Sequence, residues 1–419
     1  MKTKLSINGT KFEINGKLTY EEYSACPQEY RGRLMNARFI QGIFDDREDR
    51  SRFNRFGREF DPERNAEDLI QHLPEWYEKG IRALTVGLQG GGPCYTVDSM
   101  TIDNNPFSKD GTELDPAYLA RLEKIITAAD EIGMVVIVSF YYCAQSRFLQ
   151  DDLAVINGVK TASNWLRDKK FTNVIIEIAN EHDVESYSIH PILFDGKGIA
   201  QLIRIAQRES GGMPVGCSTT GKYFSKDIGE TSDVILIHGN NMTRQQFYEH
   251  INEAKKITPA RPIVCNEDSQ ALGNMQVALE NGISWGYYNN MTKQEPPTTW
   301  GITRGEDEFY AERLAETLGI LKASRSEEDE FYLEGLGKNE EWEGKRWIRL
   351  ASKYPEKIHK VDFYRDGKFY ASAYDDPFTI GFVVNWYQKP VEGVQKGEHW
   401  KADVVLTTGK IISKEVVVE

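Results

Sequence analysis

Short apolar segments alternate with amphipathic helical segments from about residue 36 to residue 321, and this alternation constrains the fold more than any other feature of the chain. It is typical of β/α units, in which a helix follows each strand of a parallel sheet and packs on it. The strands are predicted at Ala37–Phe44, Ala83–Leu88, Val135–Tyr141, Val174–Ala179, Pro214–Cys217, Val234–His238, Pro262–Asn266 and Ile283–Tyr287. The helices are predicted at Pro62–Lys79, Pro116–Ile132, Val155–Lys169, Gly198–Arg208, Arg244–Ile257 and Tyr310–Leu321. Eight such units in roughly 290 residues indicate an α/β fold of the (β/α)8 TIM-barrel type.

A doubly wound open sheet is the competing arrangement of the same units. It normally carries a glycine-rich phosphate-binding loop after its first strand, and Gly42-Ile43-Phe44-Asp45 is not such a loop. Gly90-Gly91-Gly92-Pro93 follows the second predicted strand but lacks the spacing and the helix of that motif. We therefore favour the barrel and interpret the second segment as a loop that permits close backbone approach.

The segment before the barrel pattern and the segment after it differ from the barrel in composition. Asn8-Gly9 lies between two alternating runs within Lys4–Lys17, which is the strongest short-range signal for a β-hairpin. Ser324–Glu343 is acidic and polar, and we interpret it as a linker or solvated edge. We therefore predict a barrel domain over residues 1–333 that includes the hairpin.

The remaining residues, 334–419, are predicted to form a small all-β sandwich. Val361–Tyr370 reads as a hairpin that turns at Asp366-Gly367. Further strands are predicted at Ile380–Trp386, Trp400–Thr407 and Ile411–Val418, a spacing typical of a sandwich.

Composition excludes several classes of partner. Lys and Arg number 51 against 64 Asp and Glu, and a net charge of −13 disfavours nucleic acid. No run approaches the length of a membrane-spanning helix. The five cysteines are an odd number and form no CxxC pair, which argues against a disulfide framework and a zinc cluster; we also expect no cofactor. No apolar leader follows Met1; we expect a secreted or periplasmic protein if a signal peptide was removed, and otherwise a cytoplasmic one.

Two of the predicted strands end in Asn-Glu. The first runs from Asn173 to Glu181 and the second from Arg261 to Glu267. Barrel enzymes place their chemistry at the carboxyl ends of the strands. These are the fourth and seventh strands by our count, so Glu181 and Glu267 are expected to converge across the mouth of the barrel. Glu177 lies four residues before Glu181 and so points to the same side, into the barrel; we interpret it as part of a buried hydrogen-bond network.

Two carboxylates that flank one bond are what glycosidic cleavage requires. One protonates the leaving oxygen, and the other attacks the anomeric carbon or activates water. Carboxyl groups about 5–5.5 Å apart imply retention of configuration, and groups about 6.5–9.5 Å apart imply inversion.

These segments resemble the glycoside hydrolases of the large (β/α)8 clan with catalytic glutamates on strands four and seven, and within that clan the cellulase/mannanase-type family. The resemblance rests on the leading hairpin, on the two Asn-Glu strand ends, on His238 at the end of strand six and on Ser284-Trp285-Gly286 at strand eight. The carboxyl-terminal region resembles the Ig-like modules appended to secreted carbohydrate-active enzymes, at Val361–Lys368 and in the segment from Gly397 to Gly409.

The resemblance implies a retaining glycoside hydrolase that cleaves β-glycosidic bonds in an oligo- or polysaccharide by double displacement. It implies that Glu181 is the general acid/base and that Glu267 is the nucleophile. It further implies that Asn180 binds the sugar 2-hydroxyl, that His238 lines the catalytic subsite and that Trp285 forms the sugar platform.

Other contacts in the predicted site stay open. The group that holds the nucleophile is Asn240, Tyr141 or an arginine of the Arg47–Arg58 loop. Aromatic rings stack on the apolar faces of pyranoses. Rings near the predicted mouth are Tyr95, Tyr141, Tyr142, Tyr223, Tyr287 and Trp300.

Two other functions are also open at this point. A carbohydrate-binding barrel without catalysis is one, because the position of the family's strand-two arginine is Thr85. A metal-dependent barrel hydrolase that uses His182 and Asp183 is the other, but no His-x-His strand accompanies them, and we predict no metal site.

Overall fold

The first strands form an antiparallel ribbon in the computed structural model, which describes residues 1–221, 225–257 and 260–419. They are β1 (Leu5–Asn8), β2 (Lys11–Ile14) and β3 (Lys17–Leu18). Gly9 has a φ of +61° in the turn between β1 and β2, a conformation that glycine adopts without steric cost. The hairpin predicted at Asn8-Gly9 is therefore confirmed.

Parallel strands follow, at the predicted places. They are β4 (Asn36–Arg38), β5 (Ala83–Gly87), β6 (Val135–Tyr141), β7 (Val174–Ala179), β8 (Val215–Gly216), β9 (Ile235–His238), β10 (Ile263–Glu267) and β11 (Gly286–Tyr287). Within the described residues, one parallel sheet has the order β11-β4-β5-β6-β7-β8, and β9 pairs with β10. A parallel bridge joins Val264 to Ser284, and the Val234 N–H donates to the Val215 carbonyl oxygen at 3.4 Å.

Helices separate these strands, as the periodicity predicts. They are α1 (Pro62–Glu78), α2 (Pro116–Ile132), α3 (Asp152–Asp168), α4 (Pro191–Phe194), α5 (Gly196–Glu209), α6 (Lys226–Thr231), α7 (Arg244–Ile257), α8 (Leu272–Glu280), α9 (Asn290–Lys293) and α10 (Glu306–Thr317). Asp61 and Asp115 cap α1 and α2, accepting backbone N–H groups at 2.7 and 2.8 Å. The mixed α/β fold with parallel strands is thus confirmed.

The hairpin packs against side chains on one face of the parallel strands. Leu5 and Phe12 form one apolar cluster with residues that include Ala83, Val135 and Val234, which lie at or next to the amino-terminal ends of their strands. The helices pack on the outer side chains in a larger cluster. The hairpin therefore covers the end of the strands opposite to the end where Glu181 and Glu267 lie.

The carboxyl-terminal part is β-structure, with strands β12 (Phe331–Glu334), β13 (Lys345–Arg346), β14 (Arg349–Ser352), β15 (Ile358–Arg365), β16 (Lys368–Ala373), β17 (Phe378–Thr379), β18 (Val391–Glu392), β19 (His399–Leu406) and β20 (Ile411–Val417). The sheets have the orders β12-β14-β17 and β16-β15-β19-β20, and they enclose a core around Phe363 and Trp400. The hairpin predicted at Asp366-Gly367 is confirmed.

The prediction of a strand at Ile380–Trp386 is wrong. This segment forms turns, because its ends are held by different parts of the molecule. Ile380 packs in the core of the β-structure. Asn385 donates its side-chain amide to the carbonyl oxygen of Gly239, beyond β9, and to Asp268, beyond β10. The segment therefore leaves the sheet and reaches the parallel strands.

Among the described residues, no helix combines the length and the apolar character needed to cross a membrane.

A buried acid pair joins α10 to the β-structure and makes stability depend on pH. Arg349 Nη2 lies 2.8 Å from Glu306, and the Glu306 N–H donates to Glu334 at 3.2 Å. Burial raises the pKa of Glu306 to about 7 and the pKa of Glu334 well above its ordinary value. The folded protein therefore holds protons that the unfolded chain releases, so the free energy of unfolding falls as pH rises from about 5 toward 8.

We expect Glu334→Gln to reduce this fall by about 1 kcal/mol or more between pH 5 and pH 8, because the amide has no proton to lose. Urea unfolding of both proteins at the two pH values measures the change. Glu328→Gln, at an exposed position, is the control. An unchanged pH slope in Glu334→Gln would refute the assignment.

Candidate active site

The two glutamates lie at the same edge of the parallel strands. Glu267 is the last residue of β10, and Glu181 comes shortly after β7. Glu181 has a φ of +52°, in the left-handed region that residues other than glycine rarely adopt. The Glu181 N–H donates to Ser218 Oγ at 3.0 Å, which helps to hold this strained turn. Both glutamates line one cavity as a result.

The carboxyl groups of Glu181 and Glu267 lie close together. Carboxyl oxygens of both residues and a ring nitrogen of His238 are all within 4.8 Å of one another. His238 Nδ1 is 3.0 Å from Oε1 of Glu181 and 3.6 Å from Oε2 of Glu267. His238 ends β9, so residues at or just after the ends of β7, β9 and β10 supply this group.

Arg38 is a part of the site that the sequence analysis missed. It ends β4, and its side chain is 2% exposed. Arg38 Nε lies 2.8 Å from Glu267 Oε2, and Arg38 Nη2 donates to Asn180 Oδ1 at 2.6 Å. Asn240 Nδ2 donates to the other Glu267 oxygen at 2.9 Å. Glu267 is therefore held by an ion pair at Oε2 and by a hydrogen bond at Oε1.

The other groups considered for holding Glu267 lie elsewhere. The Tyr141 hydroxyl donates to the carbonyl oxygen of Val155 at 2.7 Å, on the outer side of the strands. Arg50 and Arg52 bind the adjacent Asp45 and Asp46. Of the predicted alternatives, only Asn240 contacts Glu267 among the described residues.

Burial and charge act against each other in this group. Burial raises the pKa of Glu267, while Arg38 and His238 act to lower this pKa and so favour the ionised form. Burial disfavours a charged ring on His238, but Glu267 and Glu181 together raise the pKa of this imidazole above its ordinary value. Arg38 and His238 thus favour the ionised form of Glu267.

A layer of polar groups lies beneath the pair. Asn266 Nδ2 donates to Glu177 at 3.0 Å, and both side chains are fully buried, in agreement with a buried network around Glu177. The Trp285 indole N–H donates to Asp268 at 2.8 Å. Trp285 is also fully buried and packs on Tyr287, so its ring offers no face to a sugar. The expectation that Trp285 forms a sugar platform does not fit this position.

The cavity around the glutamates has a volume of about 490 Å³. Its lining includes the predicted residues Asn180, Asn240, Tyr95 and Tyr142. It also includes Tyr288, Gln294 and Trp386, which the sequence analysis did not select. Tyr141, Tyr287 and Trp300 are buried in the core instead, and Tyr223 lies outside the described residues.

The glycine-rich segment after β5 belongs to the same cavity. Gly91 and Pro93 line it. A Cβ atom at Gly91 would lie 3.3 Å from the ring of Tyr142, tighter than an ordinary contact. The close backbone approach expected here is present.

Glu181, His238 and Glu267 also have the donor types of a metal site. The Arg38 guanidinium, however, already occupies Glu267 Oε2, the oxygen that faces His238. A cation at this point would be repelled by a buried positive charge. His182 and Asp183 lie apart from this group, and Asp183 accepts hydrogen bonds from Thr220. The arrangement fits proton transfer and nucleophilic attack better than metal binding.

No family model matches the chain, and no curated protein matches it. A proposed glycoside hydrolase from Bacteroides vulgatus is 12% identical with a TM-score of 0.51, over 93% of this chain and 81% of that chain. A β-mannanase from the blue mussel Mytilus edulis is 12% identical with a TM-score of 0.46, over 78% of this chain and 98% of that chain. A β-glucuronidase from Parabacteroides merdae is 11% identical with a TM-score of 0.42, and this chain spans 50% of it. The likeness to the first shows a shared overall fold.

Proposed function

We propose that this protein is a retaining glycoside hydrolase that cleaves β-glycosidic bonds in an oligo- or polysaccharide. The observation that carries the proposal is the approach of carboxyl oxygens of Glu181 and Glu267 to within 4.8 Å. So close an approach of single oxygens is nearer to the carboxyl spacing of retaining enzymes, about 5–5.5 Å, than to the spacing of inverting enzymes, about 6.5–9.5 Å.

In this mechanism Glu267 attacks the anomeric carbon while Glu181 protonates the leaving oxygen. The bond between the anomeric carbon and the leaving oxygen breaks, and the carboxylate of Glu267 becomes the ester of a glycosyl-enzyme. The negative charge of Glu267 is thereby lost. Glu181, now ionised, takes a proton from water as the water attacks the same carbon, and Glu267 leaves as a carboxylate. Glu181 is the more exposed of the two, with 20% of its side chain accessible against 11%, as a group that exchanges protons with water must be.

The neighbours have distinct tasks in this proposal. Arg38 and Asn240 fix the two oxygens of Glu267 and favour its ionised form. His238 orients Glu181 by a 3.0 Å hydrogen bond. Asn180, which is held by Arg38, is placed to bind the sugar 2-hydroxyl.

We further propose that the parallel strands close into a (β/α)8 barrel, with a domain boundary near residues 333 and 334. The Val264–Ser284 bridge and the Val234–Val215 hydrogen bond support closure, because they connect the β9–β10 pair to both edges of the larger sheet. The three- and four-stranded sheets and the separate core of the carboxyl-terminal part are consistent with an Ig-like sandwich.

Trapping the glycosyl-enzyme tests the function. The protein is incubated with activated 2-deoxy-2-fluoro-β-glycosides of glucose, mannose, galactose and xylose, and its peptides are then analysed by mass spectrometry. We expect one covalent adduct, on Glu267, and a β-configured first product by NMR in the hydrolysis of the active substrate. A chelator should leave turnover unchanged. Glycan binding without hydrolysis or trapping would instead support a barrel that only binds carbohydrate.

Arg38→Lys is expected to lower kcat/KM about a hundredfold, because lysine cannot bind Glu267 and Asn180 together. The acid limb of the pH–rate profile should move to higher pH, since an ammonium group that does not contact Glu267 favours its ionised form less than the guanidinium 2.8 Å away does. Arg121→Lys, at another buried arginine, controls for the loss of a guanidinium from the core. An unmoved acid limb would show that Arg38 does not act on Glu267.

A further inference from the structure

We propose that Trp386, from the carboxyl-terminal β-structure, binds the glycan chain in the cavity that holds Glu181 and Glu267. Trp386 belongs to residues 382–388, which connect β17 to β18 and which we term the crossing loop. The proposal rests on the proposed function only in taking a glycan as the ligand. It assigns part of the substrate site to a region interpreted from sequence as a separate sandwich.

The indole of Trp386 is hydrogen-bonded to Asn241, the neighbour of the residue that holds Glu267. Trp386 lines the cavity and is partly exposed. Its Nε1 donates to Asn241 Oδ1 at 2.6 Å. Asn241 directly follows Asn240, whose amide holds Glu267, and Asn241 has a φ of +68°. The ring is therefore fixed beside the catalytic pair rather than free in solvent.

Asn385, the residue before Trp386, anchors the crossing loop through hydrogen bonds. The Asn241 N–H donates to Asn385 Oδ1 at 2.7 Å. Asn385 Nδ2 lies 3.3 Å from the Gly239 carbonyl oxygen and 3.3 Å from Asp268 Oδ1. Gly239 follows His238, and Asp268 follows Glu267, so the loop is attached next to two of the catalytic groups. A side chain at position 386 consequently has a fixed location relative to Glu267.

Tyr95, which also lines the cavity, and Asn290 hold the loop as well. The Tyr95 hydroxyl donates to the Trp386 carbonyl oxygen at 2.8 Å, and Asn290 Nδ2 donates to the same oxygen. The Tyr95 ring stacks on Tyr387 with 5.5 Å between ring centroids and 16° between planes. Tyr95, predicted as a sugar contact, thus lines the cavity and supports the loop.

A fixed, partly exposed indole beside a polar cavity suits a pyranose ring. The apolar face of the sugar covers the aromatic ring, while its hydroxyl groups reach polar atoms around the cavity. Because hydrogen bonds already hold the indole, binding costs little side-chain entropy. We infer that the ring contacts a sugar unit beyond the one attacked, so the preferred substrate is an oligo- or polysaccharide rather than a simple glycoside.

The test is calorimetric titration of the Glu267→Gln protein, with and without Trp386→Ala. The probes are di- to hexasaccharides of β-linked glucan, mannan, xylan and galactan. We expect Trp386→Ala to weaken binding of the longest bound oligosaccharide about tenfold, with a smaller effect on the disaccharide. Trp386→Phe should keep most of the affinity. Phe369→Ala, at an exposed aromatic residue on β16 outside the cavity, is the control and should leave affinity unchanged.

The outcomes of this titration test the proposed contact of Trp386 with the glycan separately from the proposed hydrolysis. Equal affinities with and without the Trp386 ring, the same loss at every chain length, or no binding of any probe at millimolar concentration would overturn it. If Glu267 forms no covalent adduct but Trp386→Ala still weakens binding of long oligosaccharides, the proposed hydrolysis fails and the proposed contact stands. Melting temperatures measured in parallel identify variants that lose affinity by unfolding.

Discussion

Glu267→Gln is expected to lower kcat by about ten-thousand-fold or more on every substrate that the enzyme cleaves, because the variant has no nucleophile. The amide is nearly the same size as the carboxylate, so it fits the same space. Its nitrogen cannot accept from Arg38, however, and its carbonyl oxygen is a poor nucleophile. Both steps of the double displacement lose the group on which they depend.

Steady-state rates on an aryl glycoside and on an oligosaccharide measure this loss. Glu123→Gln removes an exposed carboxylate on α2, one that pairs with Lys169, and it should keep full activity. If folded Glu267→Gln retained more than about one per cent of the wild-type rate, Glu267 would not be the nucleophile.

Glu181→Ala is expected to lower kcat/KM, which reports the first step, about a thousandfold on substrates whose leaving group needs a proton. The loss should be much smaller for a dinitrophenyl glycoside, because its leaving group departs without protonation. Azide should raise the rate of this variant, since a small anion can enter the space left by the carboxylate and attack the glycosyl-enzyme. The product is then a β-glycosyl azide.

Rates with the two leaving groups, with and without azide, make up the measurement. Glu185→Ala changes an exposed acid nearby and should behave as the wild type. A loss of equal size for both leaving groups, together with no response to azide, would remove Glu181 from the acid/base role.

The sequence predicts the framework well because its signals are local. Apolar runs of strand length and capped amphipathic helices need only near neighbours to be recognised, and their predicted bounds differ from the observed ones by a few residues. The α3 helix, for example, begins at Asp152 rather than Val155 because Asp151 caps it through the Ala154 N–H. Glu181 and Glu267 were selected because each ends an apolar run.

The rest of the site depends on contacts that sequence spacing does not report. Arg38 is a single arginine near the start of the strand predicted at Ala37–Phe44, so its position at the end of the observed strand could not be read from the sequence. The available signal was a charged side chain within an apolar run, because a buried charge needs a partner. Trp285 also stands at a strand end, but whether its ring faces the cavity or the core depends on packing with Tyr287 and Tyr310. Trp386 reaches the cavity from a segment that reads as a strand.

The amino-terminal hairpin has a consequence for how the molecule assembles in the cell. Leu5 and Phe12 find their partners along most of the parallel strands, as far as Val264. A ribosome adds about 5–20 residues per second, so roughly 12–50 seconds separate the synthesis of these ends. During that interval the two side chains have no complete surface to cover. The packing of the amino-terminal hairpin on the parallel strands is therefore among the last contacts to be completed, although the hairpin is translated first.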